Sequence, residues 1–281
     1  MSAIEASSED STSERARELV ARGAEEGVQL RVLGGVAVAL RASPQTPRAL
    51  LRAGNDLDLA VAEGAGRRAS EVLLSAGLVA LSERFNALHG HRRLMFVDAE
   101  DAAAKVDVFV GDLEMCHTVP LRRRLERDPL TLTPTDLLLS KGQIVRLTAK
   151  DRLDLYCLLW NHELAAAQTG GSEQASVQAI DAGYIAELCA HDWGWWRTLT
   201  ANLEACMSAL GEVVLPAADR ALIAARLTAL HDALQAAPKS LRWRARSRVG
   251  DRVRWYEEPE EIEGPGPPAD SAADPRSPGN S

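Results

Sequence analysis

The stretch Asn55-Asp56-Leu57-Asp58-Leu59-Ala60-Val61 alternates acidic and aliphatic residues. On an extended strand, side chains two apart share a face. Asp56, Asp58 and Ala60 then point one way, while Leu57, Leu59 and Val61 point into a core. Aspartate is a poor strand former, so two on one face need a reason. A solvated sheet edge is one; a divalent cation that gathers several carboxylate oxygens is the other. The stretch Lys105-Val106-Asp107-Val108-Phe109-Val110 repeats the arrangement, with three valines on one face and Asp107 on the other. Laid beside the first strand, it brings in a third carboxylate. Carboxylates about 4 Å apart repel by roughly 4 kcal/mol at an effective dielectric near 20. Such a cluster must take up protons or bind cations. Mg²⁺ meets that need, and a phosphate-bearing nucleotide would complete its shell.

Upstream, Leu33-Gly34-Gly35-Val36-Ala37 reads as a strand running through two glycines into a helix. Without Cβ atoms a ligand can approach the backbone closely, and the free N–H groups of a helix start favour phosphate. A tight turn is the plain alternative. The order Gly-Gly, then hDhDh, then hDh (h for hydrophobic) resembles the DNA polymerase β-like nucleotidyltransferase superfamily. Within it, the small bacterial and abortive-infection type II toxin-like enzymes are the most similar. The resemblance covers roughly residues 28–159 and implies transfer of NMP from an NTP to an acceptor, with release of pyrophosphate. It implies that Asp56, Asp58 and Asp107 are catalytic and hold Mg²⁺, with two ions expected and Mn²⁺ as a substitute. Asp107 would help to activate the attacking hydroxyl, and Gly34 and Gly35 would cradle the phosphates. Arg52 stands four residues before Asp56, like the basic residue of the R-x-T-x-D-h-D version of the motif.

A further echo lies downstream, in Asp136-Leu-Leu-Leu-Ser-Lys141 followed by Lys150-Asp151-Arg152-Leu153-Asp154. By the resemblance, Lys141 reaches the triphosphate, and Asp151 and Asp154 orient it or the basic side chains. A solvated helix face with local ion pairs is the other reading. The chain departs from the family pattern in three places. Gly35 and Val36 stand where a hydroxyl is usual, Gly54 replaces the motif's threonine, and Ser43-Pro44-Gln45-Thr46-Pro47 lengthens the path to Asp56. Two rivals share the aspartates: a DxD glycosyltransferase using Mn²⁺, and the same fold kept as a non-catalytic module that binds RNA or an antitoxin-like protein.

These residues must be positioned by an α+β fold. Strands are expected at Val28–Leu33, Leu57–Val61, Arg93–Val97 and Val106–Val110, with helices at Ser11–Gly23, from Val36, and at Arg67–Ala76. After Pro134 the strand signal gives way to helices at Thr135–Arg146, Lys150–Ala167, Ala179–His191, Trp195–Leu210, Ala217–Ala236 and Leu241–Tyr256. Residues 11–130 then form a catalytic domain with a short mixed sheet, and residues 131–256 an all-helical domain. Residues 1–10 and the acidic, proline-rich 257–281 are too poor in apolar side chains to order themselves.

The last helix carries Arg242, Arg244, Arg246 and Arg248 among aromatics, a pattern suited to a polyanion such as RNA. Pairing with the acidic tail would serve equally well. His89 and His91 have no third ligand near them and read as a loop or strand face. Trp193, Trp195 and Trp196 read as core of the helical half. The chain has 281 residues, 46% hydrophobic, and a net charge of −8. The acidity belongs to its ends: residues 1–14 carry −4 and residues 257–281 carry −6, leaving +2 between them. The longest apolar run, Val32–Leu40, is too short for a membrane span. No signal segment opens the sequence, so a cytoplasmic location is expected. Cys116, Cys157, Cys189 and Cys206 form no CxxC pair and are expected as reduced, buried thiols.

Overall fold

The computed structural model of the chain describes residues 3–52, 54, 56–101, 103–165 and 177–258. It is an α+β protein, with ten α-helices and nine strands among the described residues. Helix α1 spans Ala3–Glu25 and so starts ahead of the expected Ser11; the stretch read as disordered is helical from Ala3 onward. Alanine and glutamate favour helix. The chain then forms β1 (Arg31–Leu33) and, directly from the glycine pair, α2 (Gly34–Leu40).

Strand β2 occupies Leu57–Val61, as the alternation predicts, and Asp56 lies just outside it. Helix α3 (Gly66–Ser75), β3 (Leu78–Ala80), α4 (Glu83–His89), β4 (Arg93–Asp98) and β5 (Lys105–Val110) follow. The alternation did not reveal β3 or α4. Strand β3 is only three residues long, and α4 buries none of its residues, so neither leaves a hydrophobic period; the Ser82 hydroxyl caps α4 by accepting from Phe85 N–H at 3.2 Å. A short hairpin, β6 (Leu113–Glu114) and β7 (Thr118–Val119), leads into the helical half.

There α5 (Pro134–Gly142) and α6 (Ala149–Asn161) precede a two-residue parallel pair, β8 (Leu164–Ala165) and β9 (Ile180–Asp181). Helices α7 (Ala182–His191), α8 (Trp193–Ala209), α9 (Ala217–Ala236) and α10 (Leu241–Val249) complete the described chain. Helix α6 ends before the expected Ala167, and residues 166–176 lie outside the described residues, as does most of the acidic tail. Helix α10 is shorter than predicted because Gly250, at φ +59°, turns the backbone out of the helix.

The main sheet runs β1-β2-β5-β4-β3. Strands β2 and β5 are parallel, and every other neighbouring pair is antiparallel. Leu57, Leu59, Val106 and Val108 point into the core, which continues without a break into Leu137–Leu139 of α5 and Leu155–Leu159 of α6. The four cysteines are free and buried, and Trp193 and Trp195 are core residues, as read from the sequence. Among the described residues no helix is long and apolar enough to cross a membrane.

Candidate active site

Parallel pairing sets Asp58 opposite Asp107, one on each of the two central strands. Both carboxylates open onto a cavity of about 840 Å³ that is also lined by Gly34, Arg93, Phe109 and Lys141. Asp58 makes no hydrogen bond or ion pair with the described residues. Burial and the charge of Asp107 lift its carboxyl from the ordinary range to about 7. Lys141 and Arg93 oppose that rise, and Asp56 adds to it. Asp56 itself is exposed and, lying ahead of the strand, is not part of the cavity wall; its charge reaches Asp58 from outside.

The glycine pair has a concrete structural reason. Gly34 sits at φ +70°, and a Cβ there would stand 3.1 Å from Asp58 Cγ and closer still to Oδ2. A Cβ on Gly35 would stand 2.9 Å from Arg52 Cζ. The missing side chains therefore make room for the Asp58 carboxylate and the Arg52 guanidinium of this same chain. Gly34→Ala combines a left-handed backbone with this collision. We expect it to cost on the order of 2 kcal/mol of stability and to displace Asp58. Thermal melting together with a crystal structure of the variant checks this; an unmoved Asp58 carboxylate would show the glycine to be dispensable.

Arg52 does not line the cavity. Its Nε and Nη2 bind Asp154 Oδ1 and Oδ2 at 2.7 and 2.6 Å. Burial pulls the Arg52 pKa down, but Asp154, with Asp151 and Asp58, outweighs it and holds the pKa above the usual value. Lys141 Nζ lies 2.8 Å from Asp154 Oδ2 and 3.2 Å from Asp151 Oδ1. Asp154, 2% exposed, thus gathers two cations next to Asp58. Asp151 also closes a capping box with Thr148 at the start of α6. Burial would raise its pKa, yet the Thr148 hydroxyl and Lys141 hold it below the usual carboxylate range. The downstream echo is therefore a spatial partner of the aspartate strands, not a solvated helix face.

Arg93 is the first residue of β4. Its Nη2 donates to Asp107 Oδ2 at 2.6 Å, and its guanidinium lies over the Phe109 ring at 5.3 Å. His89 and His91 also border the cavity, with His89 stacked on Phe85 at 4.6 Å. Burial pushes the His117 pKa down to about 4, against the pull of Asp192, so its ring is neutral where it meets Thr198 Oγ1 at 2.8 Å.

The arginine helix divides in two. Arg246 is used internally: it donates to the carbonyls of Gly250 and Val253 and lies over the Trp193 ring at 4.5 Å. Its N–H groups are thus spent on the chain's own turn, which corrects its reading as a contact for a polyanion. Arg242, Arg244 and Arg248 are exposed and have no partner among the described residues.

Among the described residues no three His, Cys, Asp or Glu side chains are grouped for a metal ion. The donor chemistry still divides the site. Asp56 and Asp58 are carboxylates without hydrogen-bonding partners among the described residues, and Asp58 is held where added positive charge would relieve it; these suit one oxygen-seeking cation. Asp107 is already engaged by Arg93 and does not suit a second in the same way. Comparison of the chain with protein-family models and with curated proteins gave no match in either.

Proposed function

We propose that the protein is a Mg²⁺-dependent nucleotidyltransferase. The observation that carries this reading is the register of β2 and β5, which sets Asp58 against Asp107 at the wall of a cavity that also holds Lys141. In this reading residues 11–130 are the catalytic unit, and residues 131–256 are a helical unit that supplies Lys141, Asp151 and Asp154. Asp56 and Asp58 would hold the cation, which when bound draws charge off the phosphate oxygens. Lys141, fixed by Asp151 and Asp154, neutralises the triphosphate. Arg52, clamped by Asp154, keeps a second positive charge behind the glycine pair.

The acceptor oxygen forms a bond to the α-phosphorus while the α–β bridge breaks, and pyrophosphate leaves. The acceptor's proton passes to Asp107, whose Oδ1 is not used by Arg93. The acceptor we favour is RNA, because Arg242, Arg244 and Arg248 present positive charge that has no partner among the described residues and suits a phosphate backbone.

The test incubates purified protein, Mg²⁺ and each α-labelled NTP with cytosolic RNA, protein and small-molecule fractions, with Asp107→Asn alongside. Label is expected in the RNA fraction, with wild type only. Label in the protein fraction would keep the reaction and change the acceptor. Failure of every NTP both to label and to bind with Mg²⁺ would leave a non-catalytic binding module.

A further inference from the structure

We propose that Arg93 takes the place of the second metal ion, so that this site works with a single divalent cation at Asp56 and Asp58. The inference rests on the nucleotidyltransferase reading above. Three contacts fix Arg93. The β4–β5 register places Arg93 opposite Phe109 and Met95 opposite Asp107, so the guanidinium leans diagonally along the strand pair onto the carboxylate. The bond to Asp107 Oδ2 is 2.6 Å, a charge-assisted contact of the strong class. The Phe109 ring at 5.3 Å supports the cation from one side. Arg93 Nε is shielded from solvent without a partner among the described residues, leaving one donor unmet.

A metal ion shared by Asp58 and Asp107 would be left with Oδ1 of Asp107, the oxygen that takes the acceptor's proton, and would sit next to the guanidinium's positive charge. The guanidinium already supplies what such an ion gives the attacking group, a fixed positive charge where negative charge develops. In the transfer step the acceptor O–H breaks, its proton goes to Asp107 Oδ1, the oxygen bonds to the α-phosphorus and pyrophosphate departs. Arg93 holds Asp107 in place for that proton and faces the charge left on the acceptor oxygen.

The experiment counts bound Mn²⁺ by the loss of the free-ion electron paramagnetic resonance signal, in the presence of an α,β-methylene NTP that cannot be cleaved. Wild type is expected to saturate at one ion per chain, Arg93→Lys also at one, and Arg93→Gln at two as Asp107 becomes free. Two ions on wild type would overturn the inference and leave the nucleotidyltransferase reading standing. One ion on a folded Arg93→Gln, with folding checked by circular dichroism, would overturn it as well. No ion on wild type with nucleotide present would remove both. Should Arg93→Gln fail to fold, the wild-type stoichiometry alone still decides.

Discussion

Asp58→Asn is expected to yield a protein that is more stable than wild type at pH 8 and nearly inactive. Activity should fall on the order of 10³-fold, since in the proposed reaction this carboxylate would hold the cation. The gain in stability follows from the raised pKa. In the unfolded chain the carboxyl titrates at its ordinary value of 3.8, whereas in the fold it titrates at about 7. Between those values the folded state binds more protons, so stability falls as pH rises through this window and stays low above it. Asparagine lacks this penalty.

Each pKa unit corresponds to about 1.4 kcal/mol, so the difference at pH 8 is on the order of 2–4 kcal/mol after screening. Without divalent ions, the variant should melt on the order of 5–10 °C above wild type at pH 8 and level with it near pH 4. Mg²⁺ with an NTP should narrow the gap at pH 8 by stabilising only wild type. A wild type that melts at or above the variant at pH 8 without metal would mean that Asp58 is not under electrostatic strain.

Asp154→Ala is expected to be the most damaging single change near the site. The buried carboxylate holds Arg52 through two hydrogen bonds and Lys141 through an ion pair. Removing it takes away the two-pronged partner of Arg52 and the nearer of the two carboxylates of Lys141, and breaking a buried pair in this way costs about 3–5 kcal/mol. Melting should drop on the order of 10 °C, and the NTP should bind more weakly because Lys141 loses its anchor. Asp151→Ala is a useful contrast. It removes a helix cap and one of the two partners of Lys141, at about 1 kcal/mol. Equal losses for the two variants would show that Asp154 does not organise the pair.

The central strands were legible because each alternates strictly, and alternation is a local property. Leu57–Val61 was found to the residue, and β5 within one residue of its start. The meeting of Asp58 and Asp107 followed from assuming that the two strands are neighbours. The contact of Arg93 with Asp107 was not legible, because it depends on the register between β4 and β5, which no local pattern encodes. The same holds for Gly35 and Arg52: the spacing offered a phosphate cradle, while the packing shows a guanidinium against the glycine. Asp56 was placed on the strand face by periodicity alone, but the strand begins one residue later. Arg246 looked identical to its neighbours in sequence and is set apart only by the turn at Gly250.

The parallel pairing of β2 with β5 also sets the order in which the molecule can assemble. Parallel neighbours cannot be joined by a tight turn, and here the connection runs from Val61 to Lys105 through α3, β3, α4 and β4 in turn. Pairings between distant segments form slowly, since the loop must close before the contacts repay it. Asp58 and Asp107 therefore come together only after that whole excursion has been made and folded. On the ribosome, a nascent chain that stops short of Asp107 has Asp58 without its counterpart, so the paired site comes into being late, with the closing of a single strand pair.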